Sequence, residues 1–272
     1  MGQRGQAGQP PFTLPRSFPP RSLPLAPLRS LPLLYGHRGA SALEPENSLA
    51  AFARAAQDGA DGVELDVLCC ATGEVVVFHD DDLVRLGGRR ERIADLPLRE
   101  LLAVTLTSGA RIPTLEEALA ACGPNLRVNV EIKTTGYGGG RLGPLIDGVA
   151  SILERTGSGP RALVSSFHPR ALWLWMRRAP QVPAGLLFEA QAARPLRDAW
   201  AHRWLHPRSL HPEWVLCTPA RVRRWREQGY LVNVWTVDDP HALHALAAMG
   251  VDGIITNDPA RARRILGGTT GC

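Results

Sequence analysis

Two short stretches set acids among apolar residues at a spacing that could do chemistry. In Gly62–Leu68, GVELDVL, Glu64 and Asp66 are two apart. In Val128–Lys133, VNVEIK, the same spacing joins Asn129, Glu131 and Lys133. Side chains of a strand alternate faces, so each set shares one face opposite valine, leucine or isoleucine. If both faces point into one interior, three carboxylates meet there. Such a cluster is costly to bury unless a cation joins it, and an all-oxygen set suits a hard ion, Mg²⁺ or Ca²⁺. The competing reading puts Glu64 and Asp66 on an exposed amphipathic strand.

Two histidines sharpen the first reading. His37 closes LLYGH and is followed by Arg38, and His79 closes EVVVFH and is followed by Asp80. Imidazole titrates near neutrality, so a pair across a site can supply one acid and one base. His168 ends SSFH and reads as structural. His202, His206, His211, His241 and His244 fall in expected loops or helices and receive no role. Lys133 stands out by composition, as the single lysine among 31 basic residues.

The elements that must hold these residues alternate. Expected strands are LLYGH, GVELDVLC, EVVVFH, LRVNVEIK, ALVSSF, AGLLFE, LVNVWTV and VDGIIT. Helical patterns fall at 47–57, 141–154, 169–178, 219–228, 239–249 and 258–266, with Asn47 as cap of the first. Thr114 and Glu117 stand at capping-box spacing. Segment 190–215 carries little pattern, and WLH within it reads as a short strand. Alternation implies parallel strands and right-handed crossovers. About eight units in 33–267 predict an α/β (β/α)8 TIM barrel, with an arginine-rich insertion at 80–112. A doubly wound sheet is the alternative, weakened because no G-x-G-x-x-G follows the first strand.

GHRGASALEPENSLAAF, GVELDV, VVFHDD, NVEIK, SSF, VNVWTVDD and GVDGIITNDP together resemble the glycerophosphodiester phosphodiesterase family, in the family's order. The resemblance implies a barrel that hydrolyses small glycerophosphodiesters to glycerol 3-phosphate and an alcohol. It implies a divalent cation on Glu64, Asp66 and Glu131, and His37 and His79 as the acid/base pair. It implies Arg38 and Lys133 on the phosphate, and Trp235 as an aromatic wall. A lysophospholipase D-type activity and a non-catalytic phospho-ligand-binding barrel are the alternatives. The leaving-group pocket is the part least constrained, because DDDLVRLGGRRER departs from the family's usual threonine-rich stretch.

Charge and composition limit the partners. Of the net +5, Arg4, Arg16, Arg21 and Arg29 in residues 1–32 supply +4, leaving 27 basic against 26 acidic residues elsewhere. That balance gives no basis for nucleic-acid binding. Residues 1–32 hold eight prolines and read as a disordered tail or the product of a misassigned start. Pro24, Pro27 and Pro32 break the apolar run a signal peptide needs, so the expectation is cytoplasmic, with export left open. No apolar run reaches eighteen residues, so stable membrane insertion is not expected. Five cysteines without Cys-x-x-Cys spacing read as reduced thiols. The oligomeric state is not indicated.

Overall fold

The computed structural model describes residues 31–134 and 141–267. The expected disordered tail, apart from its last two residues, lies outside the described residues. Among the described residues, nine strands form one sheet: β1 (Leu33–His37), β2 (Gly62–Cys69), β3 (Val75–Val77), β4 (Arg127–Ile132), β5 (Ala162–Ser166), β6 (Ala184–Phe188), β7 (Ser209–Pro212), β8 (Leu231–Val234) and β9 (Gly253–Thr256). All but β3 pair in parallel, in the order β1–β2–β4–β5–β6–β7–β8–β9, and β9 returns to β1. This is the (β/α)8 barrel expected from the alternation. EVVVFH is not one of its staves: β3 runs antiparallel to β2 as the returning arm of a hairpin.

The apolar core lies between the barrel and its helices. Val63, Leu65 and Val67 of β2 and Val128, Val130 and Ile132 of β4 face outward. They share one core with Phe52, Leu115, Leu145 and Trp175 of the surrounding helices. Burying each such side chain contributes about 1.5–3 kcal/mol, so this layer dominates the stability of the fold. The opposite column of the same strands is polar and inward: Glu64, Asn129, Ser165, Ser209, His211 and Asn233 are all buried. Room for that column comes partly from glycine. A Cβ at Gly185 would lie 2.6 Å from His211 Nε2, and one at Gly253 would lie 2.5 Å from Asn233 Oδ1.

Helix starts show why local sequence decides local structure. Thr114 and Glu117 form the complete capping box expected of them. Asn47 does not cap its helix. Ser48 does, its Oγ accepting from the Ala51 N–H at 3.1 Å. Asn47 instead takes a left-handed φ of 54°, a conformation asparagine tolerates but a cap residue does not use.

Two further expectations need correction. WLH is not a strand: His202–Leu205 is a helical turn stopped by His206 at φ 48°. The strand of that region is β7, and His211 lies on it rather than in a loop or helix. Its residues Ser-Leu-His-Pro carry no apolar signature, because its inward positions are polar. Residues 80–112 are less featureless than their charge suggests. Leu83, Ile93, Leu96, Leu101, Val104, Leu106 and Ile112 pack with Leu68, Cys70, Val76 and Phe78 into a second small core beside β3. Adjacent Cys69 and Cys70 thus point into different cores, as strand alternation requires.

Candidate active site

The inward acids of β2 and β4 converge. Asp66 and Glu131 are register partners, and Glu64 pairs with Asn129. Oxygens of Glu64, Asp66 and Glu131 lie within 4.8 Å of one another, all buried. Burial, with Asp66 and Glu131 as like-charged neighbours, pushes Glu64 well above the usual carboxylate range. Burial pushes Glu131 up to about 7, against the pull of Lys133. The cluster is therefore short of positive charge, the state expected of a site built for a cation.

Two side-chain cations flank it. Lys133 Nζ lies 3.0 Å from Glu131 Oε1 and 3.5 Å from Asp66 Oδ1. Burial works against the ammonium, but Glu131 and Asp66 outweigh it and hold Lys133 at about 12. Arg38 Nε lies 3.4 Å from Asp66 Oδ2. Arg38 also takes a left-handed φ of 54°, and its backbone N–H donates to Glu64 Oε2 at 3.0 Å. The residue after β1 therefore contributes both main chain and side chain to the carboxylates. Asn47 completes the frame: its Nδ2 donates to Asp66 Oδ2 at 2.8 Å, and its Oδ1 accepts from the Asp66 N–H at 3.3 Å.

The two histidines sit at the same mouth with different partners. His37 Nδ1 faces Asn257 Oδ1 at 2.8 Å. The Asn257 backbone N–H donates to Asp238 Oδ1 at 2.8 Å, and its Nδ2 donates to Asp238 Oδ2. A carboxylate only accepts, so the Asn257 amide nitrogen must face Asp238 and its oxygen must face His37. The proton of neutral His37 is then on Nδ1, and Nε2 is the basic nitrogen. His79 Nδ1 faces a full carboxylate, Asp80 Oδ1, at 2.6 Å. Asp80 is tied to Arg85, whose fork also grips Glu46, which in turn holds Arg38 at 2.8 Å. Burial opposes ionisation of Glu46, but Arg85 and Arg38 hold it down at about 2. Burial, with Arg38 beside it, lowers His37. Burial also lowers His79, with Lys133 and Arg38 adding to the effect and Asp66 and Asp80 opposing it.

His37, Arg38, Glu64, His79, Asn129, Glu131 and Lys133 line one cavity of about 240 Å³, whose far wall is Phe167, Leu187, Glu189 and Trp235. The Trp235 indole is fixed by an N–H bond to the His211 carbonyl at 2.8 Å and by edge-on contact with Phe167 at 5.4 Å. A larger cavity, about 440 Å³, lies beyond His37 toward Asp238 and Arg261. None of the three clustered carboxylates lines it, so the smaller cavity is the candidate site.

Every residue singled out for the site from the sequence is thus found at this mouth, and Asp66 supports the cavity from behind Glu64 and Glu131. Sequence reasoning read Asn47 as a helix cap, placed Asn129 on the shared strand face and Asp80 beside His79 without giving either a role, and passed over Glu46, Glu189, Asp238 and Asn257. Only spacing next to known motifs, PEN, HD and TND, marked most of them. His168 caps its helix by accepting from the Arg170 N–H at 3.2 Å, consistent with a structural part.

Closed barrels of this kind place polar chemistry at the C-terminal ends of their strands, and this mouth, with its carboxylate cluster and paired histidines, defines such an enzyme. Residues 37–261 match the glycerophosphoryl diester phosphodiesterase family, and the chain belongs to it. It is 34% identical over 236 residues to a glycerophosphodiester phosphodiesterase of Caldanaerobacter subterraneus, covering 84% of this chain and 94% of that relative. A phosphodiesterase of Oleispira antarctica, solved in complex with the product sn-glycerol-3-phosphate, superposes with a TM-score of 0.77 at 26% identity. That match covers 87% of this chain and 97% of the other. A glycerophosphodiester phosphodiesterase of Parabacteroides distasonis superposes with a TM-score of 0.75 at 26% identity, over 88% and 98% of the two chains. Among the described residues, no helix is long and apolar enough to cross a membrane.

Proposed function

We propose that the protein hydrolyses small glycerophosphodiesters to glycerol 3-phosphate and an alcohol, with His37 as base and His79 as acid. The observation that carries this reading is the convergence of Glu64, Asp66 and Glu131 within 4.8 Å at a mouth shared by both histidines. The donor set fits a hard divalent cation, Mg²⁺ or Ca²⁺: three buried carboxylates, two of them raised by burial and mutual repulsion. When bound there, such an ion would offset charge on the phosphate oxygens.

The protein's own groups divide the remaining work. His37 holds its proton on Nδ1 toward an uncharged amide, so Nε2 accepts the proton of the attacking oxygen. His79 has ionised Asp80 behind it, the partner that favours a protonated ring, so it donates to the departing alcohol. Lys133 and Arg38 offer positive charge beside the carboxylates, where a phosphodiester anion would otherwise be repelled. Asn47 and the Arg38 N–H keep Asp66 and Glu64 aimed. Trp235 closes the wall across from them.

The test is release of glycerol 3-phosphate from glycerophosphodiesters with and without chelator. Hydrolysis that stops on chelation and returns with Mg²⁺ or Ca²⁺ is the expected result. Full turnover after exhaustive chelation would remove the cation from the reading. Turnover of lysophospholipids but not of glycerophosphodiesters would replace the substrate.

A further inference from the structure

Three acids line the catalytic cavity: Glu64, Glu131 and Glu189. The first two belong to the carboxylate cluster and have Arg38 and Lys133 beside them. Glu189 stands apart, just past β6 on the far wall. It is half-buried, and among the described residues no ion pair or hydrogen bond engages its carboxylate. Its neighbour across the strands, Glu213, is accounted for: it accepts from the Ala190 N–H at 2.8 Å. The groups that share the wall with Glu189 are apolar or aromatic, Leu187, Phe167 and Trp235, and the indole is held rigid.

A free carboxylate is a poor choice in a pocket for an anionic phosphodiester. It repels the substrate, and it adds to a region that already holds three acids. A hydroxyl of the substrate would be read as well by a neutral amide, at no electrostatic cost. A carboxylate beside aromatic faces is, by contrast, the pairing that recognises an ammonium group, through charge and through the ring quadrupole. The facing cations cannot satisfy Glu189, because Arg38 is engaged by Glu46 and Asp66 and Lys133 by Glu131 and Asp66.

We infer that Glu189, with Trp235 and Phe167, selects substrates whose alcohol portion carries an ammonium group, and is a specificity-determining residue of this site. The inference rests on the phosphodiesterase reading above. Such a substrate is zwitterionic, so its positive end meets Glu189 while its phosphate meets Lys133 and Arg38.

The experiment measures kcat/KM with saturating Mg²⁺ for glycerophosphoethanolamine, glycerophosphocholine and uncharged-headed glycerophosphoglycerol, for the wild type and for Glu189→Gln. The wild type is expected to favour the two ammonium substrates by about tenfold or more, a preference that shrinks at high salt. Glu189→Gln should lower both ammonium substrates about tenfold and leave glycerophosphoglycerol within about twofold, with melting temperature unchanged. An equal loss on all three would mean that Glu189 reads the shared glycerol, and would overturn the inference. So would no change on any of them. Hydrolysis without head-group preference removes this inference alone, whereas no hydrolysis of any of the three removes the phosphodiesterase reading with it.

Discussion

The two walls of the barrel mouth differ in kind. The wall made by β1, β2 and β4 is crowded with charge, and its charged side chains lie in ion-pair contact: Lys133 to Glu131, Arg38 to Asp66 and Glu46, His79 to Asp80. The wall made by β5 to β8 is sparse. Its buried polar groups are uncharged: Ser209 Oγ and Asn233 Nδ2 lie 2.8 and 3.1 Å from His211 Nε2, while Ser165 Oγ and His211 Nδ1 have no protein partner. Burial holds His211 neutral, down at about 3, where a charged ring could not be matched. The crowded wall is arranged for charge that changes during a reaction. The sparse wall has the character of a surface that sorts what enters. If that division is right, substitutions on the crowded wall should lower turnover of every substrate, and substitutions on the sparse wall should change the ranking of substrates.

The largest effect should come from the histidines. His37→Ala and His79→Ala are each expected to lose about 10²–10⁴-fold in kcat, the usual range for a general acid or base. Their partners predict that the two losses differ in kind. A p-nitrophenyl leaving group needs little protonation, so it should restore His79→Ala far more than His37→Ala. Rescue of His37→Ala instead would exchange the roles, and rescue of both or neither would mean that the amide behind one ring and the carboxylate behind the other do not divide the work.

The same contrast explains what could be read from the chain. The crowded wall was legible only in part from alternation: acids at 64, 66 and 131 against apolar neighbours also fit an exposed amphipathic strand, and it was the paired histidines and the family's motifs that favoured the inward reading. The barrel followed from the repeating strand and helix patterns, whose outward faces are the apolar core. The sparse wall was not legible. β7 consists of Ser-Leu-His-Pro, inward where it is polar, and no periodicity separates such a strand from a loop. The supporting residues were also missed for a physical reason. Asn47 and Asn257 act through hydrogen bonds that reach across 19 and 220 residues of chain, a relation that no local pattern records.

An intermediate effect concerns protons and the cation. Folded Glu131 is raised from 4.5 to about 7, and Glu64 is raised with it. Over that window the folded state holds protons that the unfolded chain releases. The unfolding free energy of cation-free protein should therefore fall as pH rises from about 4.5 through 7, by a few kcal/mol. A divalent ion must displace the Glu131 proton, which by itself should raise the affinity roughly 30-fold between pH 5.5 and 8. Calorimetric titration of Mg²⁺ or Ca²⁺ at several pH values measures this directly. Glu64→Gln should sharpen the result: it removes one of the repelling charges, so the chelated variant should melt higher than chelated wild type at pH 8 while binding the ion poorly. A variant that melts lower would show that the cluster is held together by its own ion pairs rather than poised for a cation.

The smallest effect separates charge from shape on the crowded wall. Lys133 is the single lysine of a chain whose other basic side chains are arginine. Its ammonium reaches two carboxylates from one point, 3.0 Å from Glu131 and 3.5 Å from Asp66. An arginine there would keep the charge, but its guanidinium is a wide planar fork that matches a carboxylate with two parallel bonds. Arg38 already shows how that fork behaves at this mouth, spanning Glu46 and Asp66 at once. A second fork at 133 would clamp Glu131 or Asp66 and withdraw oxygens from the cation cluster. Lys133→Arg is therefore expected to cost at least about tenfold in kcat/KM, about 1.4 kcal/mol, on all substrates alike. Circular dichroism and melting temperature should stay close to wild type, because the replacement keeps the ion pairs. Normal turnover by Lys133→Arg with the cation saturating would mean that only net charge matters at this position. A loss confined to some head groups would place Lys133 with the sorting wall, and the division between the two walls would fail there.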